Sequence, residues 1–220
     1  MLNKRLSYLQ IALNGTLSEV EGIIGLLPAS DRILVEAGTS FIKAYGIRGI
    51  SIMDRLWSYK LGKKGYIVAD LKCMDRGFTE VIAAKESGAK AATCLGLAPI
   101  QTIDLFIEKC KELNIDSMID MMNVEFPFEI LGKLKQIPNV VVLHRGVEES
   151  EMSNKEIPYL QIHKILETYD VLISVAGGET FKEVGGAIFN DANIAVVWRA
   201  FSENPLQTAK LAKTFLKEVR

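Results

Sequence analysis

The sequence predicts a (β/α)8 barrel forming a single domain over residues 1–220, and three observations carry that prediction. Short runs rich in valine and isoleucine alternate with longer amphipathic stretches. The alternation continues through eight units, and no Pro-, Ser- or Gly-rich linker interrupts it. Such alternation implies parallel strands joined by right-handed crossovers. An open doubly wound sheet is the competing arrangement, but no Gly-x-Gly-x-x-Gly follows the first strand.

Taken in order, the first strand is YLQIALN (8–14) and the second RILVEAG (32–38). The stretch SIMDRLWSYK after it reads as an outer helix, with Trp57 in packing or at an interface. The third strand, GYIVADLK (65–72), leads into the helical pattern TEVIAAKESG. The fourth, KAATCLG (90–96), leads into PIQTIDLFIEKCKEL, and the fifth, IDSMIDM (115–121), into FPFEILGKLKQI. VVVLH (140–144) is followed by YLQIHKILE, whose His163 falls in a helical pattern and reads as structural or exposed. VLISVAGG (171–178) and NIAVVWRA (193–200) complete the strands, and NPLQTAKLAKTFLKEV is the last helix.

The 27 acidic residues nearly cancel the 26 basic ones, leaving a formal charge of −1 and no basic field for nucleic acid. No apolar run approaches the roughly 20 residues that span a bilayer. The stretch MLNKRLSYLQIALNGT has too short an apolar part for a signal peptide. Cys73, Cys94 and Cys110 form no metal-spaced pair, and their odd number suits a reducing cytoplasm. Cys73 reads as a small residue turned away from the chemistry, with a reactive thiol as the alternative.

Chemistry collects where strands end. Alternate side chains of a strand share a face, so Val68, Asp70 and Lys72 point one way and Ile67, Ala69 and Leu71 the other. In a barrel the first set lines the interior and emerges at the C-terminal mouth. Glu36 ends RILVE, Asp120 sits late in IDSMIDM, His144 closes VVVLH and Asn14 closes LQIALN. Any one of these could be a solvated strand terminus; five strands ending alike point to a site. Glu36, Asp70, Asp75 and Asp120 around one lysine would repel one another, and a hard divalent cation is the economical remedy. Gly177 and Gly178 end the seventh strand and Arg199 the eighth, where such barrels commonly cradle a phosphate.

The stretch VADLKCMDRG carries an Asp-x-Lys-x-x-Asp pattern that resembles the orotidine-5′-monophosphate decarboxylase superfamily. LQIALN, VEAGTSFIKAYG, TCLGLAPIQTI, VAGG and VVWRAFSENP extend the resemblance along the chain, in order. Arg76-Gly77-Phe78 replaces the Ile-Pro-Asn-Thr-like continuation of orotidine decarboxylases. The chain therefore looks like the branch of 3-hexulose-6-phosphate synthases and 3-keto-L-gulonate-6-phosphate decarboxylases.

The resemblance implies a residue-by-residue assignment. Glu36 and Asp70 would bind Mg2+, with Mn2+ as a substitute, and Lys72 would stabilise the negative oxygen of a 1,2-enediolate. Asp75 would reach into the neighbouring site of a homodimer. His144 would move protons, and Asp120 would orient substrate hydroxyls. Gly177, Gly178 and Arg199 would hold the phosphate of a ketose phosphate. Lys43, in SFIKAYG, is open between a site residue and a solvated helix lysine. Two residues depart from the family pattern: Asn14 stands where an Asp is usual, and Trp198 where a Gly precedes the Arg. The expected reaction is condensation of formaldehyde with D-ribulose 5-phosphate, or its reverse. Decarboxylation of a 3-keto sugar acid phosphate is the alternative within enzymes. Beyond enzymes, a non-catalytic sugar-phosphate-binding protein is the other reading.

Overall fold

The runs of β-branched residues form eight strands: β1 (Tyr8–Leu13), β2 (Ile33–Ala37), β3 (Ile67–Cys73), β4 (Ala91–Leu95), β5 (Asp116–Asp120), β6 (Val140–His144), β7 (Leu172–Gly178) and β8 (Ile194–Val197). In this computed structural model, residues 1–146, 159–178, 181–198 and 205–219 are described. Each strand pairs in parallel with the next, and Tyr8–Ile11 of β1 lies in register with Ile194–Val197 of β8, closing the barrel. The helices among the described residues are α1 (Leu17–Leu26), α2 (Thr39–Leu61), α3 (Gly77–Glu86), α4 (Ile100–Glu112), α5 (Pro127–Leu131), α6 (Tyr159–Thr168), α7 (Phe181–Phe189) and α8 (Pro205–Glu218). The open doubly wound sheet is thereby excluded.

The period of two along each strand separates two cores. Leu9, Ile11, Ile33, Val35, Ile67 and Ala69 face outward and pack with Phe41, Met53, Trp57, Phe106 and Phe215 of the helices. Trp57 is fully buried in this layer, so its role is packing. The alternate positions fill the barrel with Tyr8, Ala12, Leu34, Val68, Met118, Val140, Leu172 and Ile194. The N-terminal segment closes the floor. Leu2 N–H and the Tyr66 hydroxyl both donate to Asp116 Oδ2, at 3.0 and 2.6 Å, so this buried carboxylate is satisfied. A filled floor leaves the opposite mouth as the place where polar side chains can meet a ligand.

Local signals set the helix starts around that mouth. Thr16 and Glu19 form a capping box that opens α1. The cap residue of α2 is Gly38, which has no side chain to offer. Asn14, from the end of β1, supplies the acceptor instead: its Oδ1 takes the Ser40 N–H at 3.3 Å. α3 begins at Gly77, where a Cβ would come within 2.8 Å of the Thr102 carbonyl oxygen on α4. The Arg-Gly-Phe sequence at this point thus serves close packing of α3 on α4.

One predicted helix is shorter than its pattern. FPFEILGKLKQI gives only the five-residue α5, after which Lys133 and Leu134 N–H bond three residues back, to Ile130 and Leu131. The chain tightens into such turns ahead of Pro138, which cannot continue a helix.

Candidate active site

Glu36, Asp70, Lys72, Asp120 and His144 do meet at the C-terminal mouth, on four of the five neighbouring strands from β2 to β6. Lys72 is the hub. Its Nζ lies 2.9 and 3.1 Å from the two Asp70 oxygens and 3.2 Å from Asp120 Oδ2. Burial, the largest influence, works against the ammonium. The charges of Asp70, Asp120 and Glu36 outweigh it and carry Lys72 above the ordinary lysine range. Lys72 is therefore a fixed cation at working pH, suited to meeting negative charge and unsuited to taking a proton.

Asp120 joins this cation to a base. Its carboxylate sits 2.8 and 3.1 Å from His144 Nδ1 and also accepts the Met122 N–H. Burial alone would push the Asp120 carboxyl up, but the hydrogen bond and charge of His144, with Lys72 behind them, hold it below the usual aspartate value. An ionised carboxylate can only accept, so Nδ1 is the donor and Nε2 is the basic nitrogen of the ring. Sequence reasoning assigned Asp120 to substrate hydroxyls; the structure gives it the further task of orienting His144.

Glu36 and Asp70 form the other half of the site. Gln10 Nε2 donates to Glu36 Oε2, and Thr39 and Thr93 hydroxyls donate to Asp70 at 2.7 and 2.8 Å. Burial pushes the Glu36 carboxyl up to about 7, and the Asp70 charge adds to that push against the opposing pull of Lys72 and Gln10. Among the described residues no three His, Cys, Asp or Glu side chains converge on a metal-sized cage. Two carboxylates, one resisting ionisation because of burial and then because of the other's charge, nonetheless fit Mg2+, which takes one or two carboxylates and leaves its other positions to water and substrate oxygens.

Asp75 requires a correction. It is not part of the charge cluster: it is exposed in the segment after β3, and its Oδ1 accepts the Arg76 N–H at 2.8 Å. The strand's parity ends at Lys72, so a residue three positions on is not bound to the inward face. Three carboxylates, not four, surround the lysine, whose ammonium balances one of them.

The phosphate end is partly described. Gly178 ends β7, and Gly177 has φ 101°. A Cβ at Gly177 would lie 2.6 Å from the Arg145 carbonyl oxygen, so both conformation and space require glycine. Arg199 lies outside the described residues. Trp198, at the end of β8, packs on the apolar cluster inside the barrel. Lys43 is exposed on α2, as a solvated helix lysine. His163 is exposed on α6, 3.5 Å from Asp191, away from the strand ends. Cys73 is buried in the outer layer, with its Sγ on the Asp75 carbonyl oxygen.

Four residues at the mouth escaped sequence reasoning: Gln10, Thr39, Thr93 and Arg145. Arg145, next to His144, donates from Nη2 to the Gly177 carbonyl oxygen at 2.5 Å and pairs with Glu183. It ties the end of β6 to the end of β7. Gln10 and Thr93 share the inward parity of their strands, which was the available signal, but they carry no charge to draw attention to it.

Residues 7–213 match the family described as Orotidine 5′-phosphate decarboxylase / HUMPS family. A Bifunctional enzyme Fae/Hps of Methanocella arvoryzae is 38% identical over 200 residues, which cover 89% of this chain and 49% of that protein. The Bifunctional enzyme Fae/Hps of Methanothrix thermoacetophila is 35% identical over 216 residues, covering 97% and 53%. The chain thus spans about half the length of the curated relatives it matches. Among solved structures, a 3-hexulose-6-phosphate synthase from Salmonella typhimurium superposes with a TM-score of 0.82 at 24% identity, covering 96% of this chain and 99% of that one. KGPDC from Streptococcus mutans gives 0.77 at 20% identity, covering 97% and 99%. At these identities the two structures establish a shared fold.

Proposed function

The chain belongs to the orotidine 5′-phosphate decarboxylase / HUMPS family, and from that premise we propose that it is a 3-hexulose-6-phosphate synthase-like aldehyde-lyase. It condenses formaldehyde with D-ribulose 5-phosphate, or runs the reverse. The observation that carries this reading is the continuous array Asp70–Lys72–Asp120–His144, which places a permanent cation and an oriented imidazole on one carboxylate. The names of the Fae/Hps relatives support it.

The phosphate binds at Gly177, Gly178 and Arg199, with Arg145 bracing the first of these. His144 Nε2 takes a proton from C1 of the ketose. The electrons left behind collect on oxygen as a 1,2-enediolate, and the Lys72 ammonium, already in place, meets that charge without reorganising. C1 then adds to the carbonyl carbon of formaldehyde, and the new alkoxide regains the proton from His144. The proton lost is thereby returned, and the product is the hexulose 6-phosphate. Glu36 and Asp70 are the residues that would hold Mg2+, or Mn2+ in its place, which when bound supplies Lewis-acid polarisation of the ketose oxygens.

The protein acts as a homodimer in the cytoplasm, in this reading. Met74 and Phe78 flank Asp75 and are half exposed; Leu97 and Leu105 are exposed on the adjoining α4 side. Apolar side chains around a carboxylate with no role in its own barrel suit burial against a second copy. Among the described residues no helix is long and apolar enough to cross a membrane.

The test is formaldehyde fixation. With Mg2+, formaldehyde and ribulose 5-phosphate should disappear in equal amounts, and thorough chelation should abolish turnover. Carbon dioxide release from 3-keto-L-gulonate 6-phosphate, with no fixation, would assign the chain to the decarboxylases; binding without either reaction would make it a sugar-phosphate-binding protein.

A further inference from the structure

Lys72 occupies a backbone conformation that a lysine does not choose. Its φ is 45°, in the left-handed region, where the Cβ crowds the following carbonyl oxygen. The β3–β4 ladder is irregular over the same stretch: Ala69 pairs with Ala92 and Cys73 with Cys94, so the partner strand advances two residues while β3 advances four. The extra length bulges at Asp70–Lys72. The Lys72 N–H is turned off the regular ladder and ends on the side chain of Thr93, whose Oγ1 accepts it at 3.0 Å.

The same hydroxyl has one proton to give, and it goes to Asp70 Oδ1 at 2.8 Å. Thr93 is 5% exposed, so water is poorly placed to replace either contact. One hydroxyl therefore fixes the main chain of Lys72 and the side chain of Asp70 together. An aliphatic residue of the same shape would leave a buried N–H and a carboxylate oxygen each short of a partner.

We propose that Thr93 is a positioning residue for the lyase reaction. It holds the β3 bulge that aims the Lys72 ammonium into the mouth, and it sets the Asp70 carboxylate against that ammonium. Its hydroxyl is bonded at both ends within the protein, and its part is to keep the oxyanion-stabilising cation at a fixed place. This rests on the reading of Lys72 as that cation. With the hydroxyl gone, Lys72 relaxes toward extended backbone and its ammonium is displaced from the position that the enediolate oxygen requires. Displacements of about 1 Å at such groups cost on the order of 100-fold in rate.

The experiment compares Thr93→Val and Thr93→Ser with the wild type, all full-length. Thr93→Val should lower kcat by about 30- to 100-fold while KM for ribulose 5-phosphate changes by less than about 3-fold. Thr93→Ser, which restores the hydroxyl, should stay within about 5-fold of the wild type. Hydrogen exchange without substrate adds a readout independent of turnover: the Lys72 amide should lose protection in Thr93→Val while the Ala69 and Ala92 amides keep theirs. If Thr93→Val does not accumulate as folded protein, Thr93→Ala removes the hydroxyl without crowding and is read the same way. Unchanged Lys72 protection, undiminished kcat in the valine variant, or a serine variant as impaired as the valine variant would each overturn the proposal. A wild type that exchanges its Lys72 amide slowly but fixes no formaldehyde would overturn the proposed reaction and leave the hydroxyl's grip on the bulge standing.

Discussion

Glu36 is the residue whose chemistry is most at odds with its position. Fully ionised it faces Asp70 across a buried site, and burial with that neighbour raises its carboxyl to about 7. A carboxyl whose folded value is raised binds its proton more tightly when folded, so folding gains from low pH and loses as pH climbs. For the protein kept free of divalent cations, stability should therefore fall from about pH 4.5 through pH 7 and then level off, by an amount of about 3 kcal/mol. Denaturant titrations at several pH values, repeated on Glu36→Gln, check this. The variant should lack the decline, and an identical slope in both proteins would show that Glu36 does not cause it. At this scale the sequence revealed charged groups well, because an acid, a base or an imidazole at a strand end has few structural uses. It concealed Gln10 and Thr93, which act through hydrogen bonds alone. It also counted Asp75 among the charges around Lys72, although that residue is exposed in the segment after β3.

At the scale of elements, seven of the eight strands were legible within one or two residues, and the eighth, read as 193–200, ends at Val197. Their β-branched runs are short, bounded by polar or glycine-rich stretches, and buried on both faces, which gives a strong signal. α4 and α8 were legible for the same kind of reason, a regular apolar stripe bounded by Pro99 before the first and Pro205 at the start of the second. The length of α5 was not, because the choice between a full helix and a turn after Leu131 is decided by where β6 must begin. Bulges were equally hidden. The pattern Val-Ala-Asp-Leu-Lys alternates like any strand, yet Lys72 adopts a positive φ because Thr93, on a different strand, accepts its N–H. A contact between elements settled a conformation that each element left open. The same holds for Asn14: as a strand-end residue it suggested a ligand contact, and its Oδ1 is engaged with the start of α2.

For the whole molecule, the closed barrel explains why residues from position 10 to position 178 share one site: every strand delivers its C-terminal end to the same rim. Asp75 bears on the proposed homodimer. A homodimer with shared sites predicts that Lys72→Ala and Asp75→Asn proteins are each nearly inactive. Mixed after reversible dissociation, they form heterodimers with one intact site, taking Lys72 from one chain and Asp75 from the other. Recovered fixation of formaldehyde is expected; heterodimers present without recovery would confine both residues to one subunit. Whether this rim removes a proton from carbon and holds the resulting charge can be read from hydrogen exchange at the substrate. Ribulose 5-phosphate is incubated in deuterated water with Mg2+ and no aldehyde, and C1 is followed by NMR. The wild type should exchange one C1 hydrogen stereospecifically, and Lys72→Ala and His144→Ala should not. A wild type that binds the sugar phosphate and leaves C1 untouched would contradict the account.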